Sequence, residues 1–164
     1  MKEHILYLLL GSNLGEKKKQ MDRALDLIQL RIGPVGMRSS LYETEPWGFS
    51  SEELFLNMAL QILTSLSPGE VMLKIRKIEK MLGRERSGTG YSSRTMDIDI
   101  LFYDDLVLDQ EKLKIPHPGI PGRRFVLVPL CEIARDRIHP VSGKTVRELL
   151  QDCPDTKMVR KVRN

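Results

Sequence analysis

The order of strand-like and helix-like segments constrains what this chain can fold into more than any other feature. The run ILYLLL, residues 5–10, is typical of a buried strand. The segment after it repeats apolar residues at helical spacing until Gly33 and Pro34 end it. Two further strands are expected, one over about residues 37–44 and one in LFLNMALQIL, residues 54–63. In the latter run Phe55 and Asn57 share a face.

A second helix is expected from Ser67, where Ser-Pro-Gly-Glu combines a capping box with proline at the first helical position. It ends at Gly83, and a strand over residues 94–103 follows. The order β-α-β-β-α-β predicts an α+β fold: a ferredoxin-like α/β sandwich with a mainly antiparallel sheet flanked by helices. An added hairpin, with a strand returning near residues 106–115, and a short C-terminal helix at residues 145–152 would extend it.

Length and composition predict one domain spanning residues 1–164, with a basic tail at about residues 157–164. Cys131 and Cys153 have neither metal-ligand spacing nor the density of a disulfide scaffold, so we expect reduced thiols in a cytoplasmic protein. The net charge of +4 suits an anionic partner. We expect a monomer that binds small molecules rather than nucleic acid or a membrane, because the apolar run 5–10 is too short for a membrane span.

Two aspartates interrupt the strand at residues 94–103. Side chains alternate along a strand, so Asp97 and Asp99 share one face with Leu101. The opposite face, expected to be core, carries Met96, Ile98, Ile100 and Phe102. The two carboxylates would be about 7 Å apart at their Cα atoms. A divalent cation relieves the repulsion between them, and Mg²⁺ with few protein ligands plus water and phosphate fits such a site.

An alternative is an edge strand with its polar face in water, where Asp-x-Asp discourages pairing with another sheet. Nearby arginines favour the metal site, because Arg94 lies at the start of the strand and Arg84 and Arg86 flank the glycine-rich loop that leads into it. Phosphoryl-type transfer requires carboxylates for a metal and arginines for phosphate oxygens. Arg84 and Arg86 belong to the polar, glycine-rich segment GRERSGTGYSS, residues 83–93, which predicts a lid.

Four segments together resemble the 6-hydroxymethyl-7,8-dihydropterin pyrophosphokinases, folate-pathway enzymes that move a diphosphate from ATP to a pterin alcohol. They are GSNLG at 11–15, FLNMA at 55–59, SRTMDIDILFY at 93–103 and PHPGIPGRRFVLVPL at 116–130. The resemblance covers about residues 5–150, and the Arg-x-x-Asp-x-Asp core is specific when the other segments occur in the same order. It implies a ferredoxin-like fold, ATP as co-substrate and two Mg²⁺ ions.

The resemblance also implies residue roles. Asp97 and Asp99 would bind the two magnesium ions, and Arg84 and Arg94 would contact phosphates when the lid closes. ATP would also be held by Glu79, Ile100, His117 and Arg123. The pterin would be bound by Thr44, Glu45, Pro46, Trp47, Phe55, Asn57, Tyr91 and Phe125. Among these, Asn57 would bond the amide-like edge of the ring with help from the backbone of residues 44–47, and the two phenylalanines would sandwich the ring. Residues 11–14 would shape the floor of the site.

The lid departs from the family pattern. Gly90 stands where the family usually carries a basic residue, Ser92 where it carries glycine or alanine, and Tyr91 where tryptophan is common in bacterial enzymes. The lid is therefore less positive than usual, which weakens its expected contribution to ATP capture.

Two other function classes compete with this assignment. A ferredoxin-like RNA-binding module would need aromatic residues in a basic-Gly-aromatic pattern on its central strands, and this chain has no such run. A two-metal phosphohydrolase would share the aspartates but would gain nothing from an aromatic sandwich. Phe55, Asn57 and Phe125 favour a flat organic acceptor instead.

Overall fold

The computed structural model describes residues 2–45, 54–83 and 96–163. Within these ranges the chain forms eight strands, four α-helices and a short 3-10 helix. In chain order they are β1 (His4–Ser12), α1 (Lys17–Arg31), β2 (Val35–Arg38), β3 (Tyr42–Thr44), β4 (Phe55–Thr64), α2 (Pro68–Met81), β5 (Asp97–Tyr103), β6 (Leu108–Gln110), β7 (Leu113–Ile115), the 3-10 helix (Ile120–Gly122), α3 (Arg124–Ala134), α4 (Val146–Gln151) and β8 (Val159–Lys161).

Six of the strands form one antiparallel sheet in the order β5-β1-β4-β3-β8, with β2 also paired to β4. Helices α1 and α2 cover one face, where their apolar stripes and the inward residues of β1, β4 and β5 form the larger core cluster. Helices α3 and α4 cover part of the other face with a second cluster. The predicted ferredoxin-like α+β sandwich is confirmed, and the second cluster extends it.

Helix α2 begins as the sequence predicts. Ser67 Oγ accepts a hydrogen bond from the Glu70 backbone N–H at 3.2 Å, and a Glu70 carboxylate oxygen accepts one from the Ser67 N–H at 3.0 Å. This reciprocal pair satisfies two N–H groups that a helix start leaves without partners. Helix α2 is thereby fixed at the end remote from Gly83. No helix in the described ranges is long and apolar enough to cross a membrane.

The prediction of a single strand over residues 37–44 is wrong, because the chain forms two short strands with a break that begins at Ser39. At the break the Ser39 hydroxyl accepts the Ala59 N–H at 2.9 Å, and the Ser39 N–H donates to the Ala59 carbonyl, also at 2.9 Å. A side-chain oxygen thus replaces a backbone carbonyl in the ladder. The ladder therefore separates into the β2 and β3 pairings with β4.

The expected alternation in β5 fails near its end. Leu8 pairs with Ile100 and Tyr7 with Phe102, which leaves Leu101 as an extra residue in a β-bulge. Phe102 therefore joins Leu101 in the second cluster instead of sharing the core face of Ile100. The bulge lies beyond Asp97 and Asp99, so these two carboxylates keep the common face that the alternation predicts.

Three features of the C-terminal half differ from the prediction or complete it. The strand expected near residues 106–115 is a β6–β7 hairpin that forms its own two-stranded sheet among the strands that the structure describes. The apolar segment at 125–134, not assigned from the sequence, lies in α3 with Pro129 inside the helix. The expected tail at 157–164 contains β8, which pairs with β3. The short C-terminal helix is confirmed as α4.

Candidate active site

One row of residues crosses the sheet where its three longest strands lie side by side. Gly11 of β1 lies opposite Asp97 of β5 on one side and opposite Asn57 of β4 on the other. Asp99 lies opposite Leu9, one alternation further along β5. Residues directly opposite one another in antiparallel strands point to the same face. The two carboxylates and the Asn57 amide therefore share one face at this end of the sheet.

The Asn57 side chain is held at both of its polar atoms. Thr44 Oγ1 donates a hydrogen bond to Asn57 Oδ1 at 2.5 Å, and Asn57 Nδ2 donates to the Leu10 carbonyl oxygen at 3.2 Å. Asn57 is 4% exposed and Thr44 is 1% exposed. A primary amide has two donor hydrogens and two acceptor lone pairs. After these two bonds, each polar atom of Asn57 has one further hydrogen-bonding position.

Gly11 is required by the position of Asn57. A Cβ atom on Gly11 would lie 2.7 Å from Asn57 Nδ2 and 3.7 Å from Phe55 Cδ1. The first distance is shorter than any normal non-bonded contact. Glycine therefore leaves the space that the amide occupies, which gives a physical reason for the expectation that residues 11–14 shape the floor of the site.

The two phenylalanines predicted for the pterin lie in different elements. Phe55, at the start of β4, is half-buried and lies beside Gly11. Phe125, in the first turn of α3, is half-buried and packs at the margin of the second core cluster. Part of the Phe125 side chain therefore packs against the second core cluster. A flat ring held between these side chains remains a prediction.

Asp97 and Asp99 are both half-buried, and His117 lies next to the second of them. His117 Nε2 is 4.0 Å from Asp99 Oδ1, while His117 Nδ1 accepts the Gly119 N–H at 2.9 Å. That bond assigns the proton of the neutral ring to Nε2, the atom on the Asp99 side. Burial, followed by the charge of Arg123, lowers the pKa of His117 to about 4, and the charge of Asp97 offsets this only in part. His117 is therefore a neutral donor at pH 7.

Arg123 lies against the same loop. A Cβ atom on Gly119 would lie 2.9 Å from Arg123 Cζ, so the guanidinium group passes directly over this glycine. The 3-10 helix Ile120–Gly122 joins the two residues and brings the guanidinium back over the loop. The predicted pair His117 and Arg123 is thus brought together near Asp99.

Glu79 is 3% exposed, in the last turns of α2. Its carboxylate accepts a hydrogen bond from the Ile98 backbone N–H at 3.0 Å. Ile98 separates Asp97 from Asp99, so Glu79 contacts the backbone that carries both carboxylates. The structure therefore gives Glu79 a structural contact in addition to the nucleotide role that the resemblance implies.

A cavity of about 230 Å³ lies between β5 and the β6–β7 hairpin. Of the predicted nucleotide residues, Ile100 and His117 line it together with Asp99. The remaining lining residues are Met72, Ile98, Glu111, Lys112, Leu113, Lys114 and Pro118. Lys112 and Lys114 were not predicted from the sequence. Lys112 lies in the turn between β6 and β7, and Lys114 lies in β7, so the fold of the hairpin brings both ammonium groups to the cavity.

The structure does not describe every residue that the sequence predicts for the site. Pro46, Trp47, Arg84, Tyr91 and Arg94 lie outside the described residues. Glu45, directly after β3, is half-buried, with a carboxylate oxygen 4.0 Å from Lys157 Nζ. Both cysteines, half-buried, are free thiols.

Comparison with known proteins assigns the chain to a family. Residues 7–135 match the family described as 7,8-dihydro-6-hydroxymethylpterin-pyrophosphokinase. A 2-amino-4-hydroxy-6-hydroxymethyldihydropteridine pyrophosphokinase of Aquifex aeolicus is 40% identical over 145 residues, covering 87% of this chain and 88% of that protein. The Bacillus subtilis protein of the same name is 40% identical over 133 residues, covering 80% and 79%.

Solved structures show the same fold in longer proteins. An HPPK-DHPS crystallised with substrates aligns with a TM-score of 0.76 at 14% identity, over 92% of this chain and 43% of that one. Plasmodium falciparum HPPK-DHPS with pterin and p-hydroxybenzoate aligns with a TM-score of 0.73 at 19% identity, over 92% and 42%. The chain therefore spans less than half of these solved proteins. A Folic acid synthesis protein of Pneumocystis carinii is also similar, at 35% identity over 92% of this chain and 20% of that protein.

The family match and the identity to its named members agree with the shared fold. They confirm the family, the fold class and the enzyme class that the sequence predicted. The chain therefore belongs to the 7,8-dihydro-6-hydroxymethylpterin-pyrophosphokinase family, whose members are enzymes of folate biosynthesis.

Proposed function

We propose that this chain transfers a diphosphate group from ATP to the hydroxymethyl group of 6-hydroxymethyl-7,8-dihydropterin and releases AMP. One observation carries the proposal: the row Asp97, Gly11 and Asn57 brings a carboxylate pair and a buried amide to one face of the sheet. Carboxylates suit a magnesium-bound nucleotide, and an amide suits a heterocycle with adjacent donor and acceptor groups.

The proposed acceptor site centres on Asn57. Its amide has one donor and one acceptor position left after its bonds to Thr44 and Leu10, and these match the neighbouring N–H and carbonyl groups of a pterin edge. Phe55 and Phe125 are proposed to contact the two faces of the ring by stacking. Thr44, Glu45, Pro46, Trp47 and Tyr91 are proposed to complete this site.

The proposed nucleotide site lies on the other side of Asp97, towards the β6–β7 hairpin. The cavity of about 230 Å³ offers apolar surface from Ile100 and charge from Lys112 and Lys114. His117, neutral at pH 7, can donate from Nε2 to a phosphate oxygen without adding charge. Arg123 is proposed to bind phosphate, and Glu79 to act at the border of this site.

The donor set fits magnesium. Asp97 and Asp99 are hard oxygen ligands on one face, and the described residues hold no cluster of three or more His, Cys, Asp or Glu side chains suited to a metal. Magnesium usually takes one or two carboxylates and completes its shell with water and phosphate oxygens. We propose that Asp97 and Asp99 hold two ions. When bound, magnesium would offset phosphate charge and lower the pKa of the attacking hydroxyl.

In the proposed reaction, the chain's own side chains bind the substrates, orient the pterin and neutralise phosphate charge. Asn57 orients the pterin so that its hydroxyl oxygen faces the β-phosphorus, where a new P–O bond forms as the bond to the AMP oxygen breaks. The hydroxyl proton leaves as this bond forms, and Asp97 is the candidate acceptor in the same row as Asn57. Arg84 and Arg94, which lie outside the described residues, are proposed to stabilise the transferring group in the closed complex.

The identity of the nucleotide product tests the proposal. The protein is incubated with Mg-ATP, with and without 6-hydroxymethyl-7,8-dihydropterin, and nucleotides and phosphate are separated by chromatography. Pterin-dependent AMP in a one-to-one ratio with pterin diphosphate, without free phosphate, is expected. Formation of ADP would overturn the proposed bond cleavage, and phosphate released without pterin would favour the two-metal phosphohydrolase.

A further inference from the structure

The Thr44 hydroxyl lies at the end of a short strand and contacts one side chain of the proposed acceptor site. It donates a hydrogen bond to Asn57 Oδ1 at 2.5 Å, across the antiparallel pairing of β3 with β4. Both side chains are almost fully buried, at 1% and 4% exposure. The expected role of Thr44 was a backbone contact with the pterin, which leaves the hydroxyl without an assigned function.

The hydroxyl supplies the second of two anchors on the Asn57 amide. The first is the Leu10 carbonyl, which can only accept a hydrogen bond and therefore requires Nδ2 on its side. The last torsion of an asparagine side chain is broad and has no steep minimum of its own. A single anchor allows the amide plane to rotate about that contact, whereas two anchors on opposite atoms hold the plane in one orientation.

The strand that carries Thr44 is itself held from both sides. Strand β3 pairs with β4 on one edge and with β8 on the other. Two residues before Thr44, the Tyr42 hydroxyl donates to the Glu132 carboxylate of α3 at 2.5 Å. The same carboxylate accepts the Ser40 N–H at 2.9 Å. A three-residue strand secured in this way can hold a hydroxyl at a fixed place.

We propose that Thr44 is a positioning residue for the acceptor, because its hydroxyl sets the plane in which the Asn57 amide meets the pterin edge. The inference rests on the proposed function and adds to it the group that orients the recognition amide. An amide out of plane with a rigid heterocycle forms poorer hydrogen bonds, since their strength falls as the donor angle closes. Loss of the hydroxyl should therefore weaken pterin binding and leave nucleotide binding unchanged.

The test replaces the hydroxyl while keeping the shape. Thr44→Val preserves the β-branched outline, and Thr44→Ser preserves the donor. Affinity for 6-hydroxymethyl-7,8-dihydropterin is measured by calorimetry in the presence of Mg²⁺ and α,β-methylene-ATP, which cannot release AMP. Thr44→Val should bind the pterin about 3- to 10-fold more weakly, the loss expected for one hydrogen bond. Thr44→Ser should restore most of this affinity.

Thr64 provides a matched control for a purely structural loss. It lies at the opposite end of β4, is 2% exposed, and donates from its hydroxyl to the Ile32 carbonyl at 2.7 Å. The same hydroxyl accepts the Leu66 N–H at 3.1 Å, so Thr64→Val removes one buried hydroxyl and two hydrogen bonds and should lower the melting temperature at least as far as Thr44→Val. It should leave the dissociation constants for the pterin and for the nucleotide analogue unchanged.

The outcomes separate the inference from the function on which it rests. Weaker pterin binding in Thr44→Val alone, with rescue by serine and equal nucleotide affinity, supports the inference. Parent-like pterin affinity in Thr44→Val, or an equal loss in Thr64→Val, overturns it while the proposed function stands. Failure of the parent protein to bind the pterin at all would instead contradict the proposed function.

Discussion

Glu79, a residue that is 3% exposed, accepts a hydrogen bond from the backbone N–H of Ile98 at 3.0 Å. Among the strands of residues 2–45, 54–83 and 96–163, β5 lies at the edge of the main sheet and pairs there with β1 alone. The Ile98 N–H points away from β1 and meets the helix instead. Glu79 thereby joins α2 to the one residue that separates Asp97 from Asp99.

Two substitutions at Glu79 should separate the effect of its hydrogen bond on stability from the effect of its charge. Glu79→Gln keeps an oxygen that can accept the Ile98 N–H, whereas Glu79→Leu leaves that buried donor without its acceptor. The leucine variant should lose about 1–3 kcal/mol of unfolding free energy relative to the glutamine variant. Urea unfolding measures this difference, and calorimetry with Mg-ATP should show weaker binding in the leucine variant. Equal stability of the two variants would mean that the hydrogen bond is not needed.

Gly11→Ala should damage pterin binding more than stability. The added methyl group would lie 2.7 Å from Asn57 Nδ2, which is the end of a flexible side chain, so the amide should move rather than the strand. Pterin affinity is expected to fall by about tenfold or more as the amide loses its orientation, because that factor corresponds to one good hydrogen bond.

Gly69→Ala is the matched control for this substitution. Gly69 lies in the first turn of α2, and a Cβ atom there would meet no other atom within 4 Å. It should bind the pterin as the parent does, with slightly raised stability because alanine favours a helix. Parent-like pterin affinity in Gly11→Ala would show that the amide tolerates the methyl group.

The aspartate pair yields a prediction about nucleotide binding. Asp97→Asn and Asp99→Asn each remove a charged ligand from a half-buried position on the polar face, so the fold should persist. Turnover should fall by about a hundredfold or more, because metal stabilisation of phosphate charge contributes several kcal/mol. The exposed Asp136, paired with Arg135 at 3.7 Å, gives the control variant Asp136→Asn. Parent-like Mg-ATP affinity and turnover in both site variants would exclude the metal assignment.

Local patterns predicted the elements that position the site. Alternation along β4 correctly put Phe55 and Asn57 on one face, and the capping box at Ser67 correctly began α2. Alternation in β5 correctly put Asp97, Asp99 and Leu101 on one face but failed at Phe102, because a bulge at Leu101 shifts the register. These successes share a cause, since periodicity and caps depend on residues close together in the sequence.

The contacts that define the site depend on residues far apart in the sequence. Thr44 and Asn57 are 13 positions apart, and Asn57 and Leu10 are 47 apart, so only the sheet register brings them together. The break at Ser39 likewise depends on Ala59 and on the Glu132 carboxylate that holds Ser40. Strand β8 was missed because its basic composition is typical of a solvated tail, whereas its pairing with β3 is a tertiary contact.

His139 makes the stability of the fold depend on pH. The residue is 5% exposed, and its ring packs edge-on against Phe102, with ring centroids 5.7 Å apart. Nδ1 accepts the backbone N–H groups of Val141 and Ser142, each at 3.2 Å. A proton on Nδ1 would oppose both donors. Burial, followed by the charge of Arg137, lowers the pKa of His139 below its ordinary value of 6.5.

The sign of the pH dependence follows from this lowered pKa. When the pH falls through 6.5, the unfolded chain binds a proton at this histidine before the folded chain does, so acid favours unfolding. Each such histidine can contribute at most about 1.4 kcal/mol of unfolding free energy per pH unit, and His117 contributes with the same sign. His139→Asn keeps an oxygen that can accept the loop N–H groups and cannot titrate. Urea unfolding is measured at intervals from pH 7.5 to 5.5. Over this range the unfolding free energy of the variant should fall less steeply than that of the parent, by up to about 1.4 kcal/mol per pH unit. The carboxylates with lowered pKa values change protonation only at more acidic pH, so they do not obscure this difference. Parallel pH profiles in the two proteins would contradict the assignment of this proton to His139.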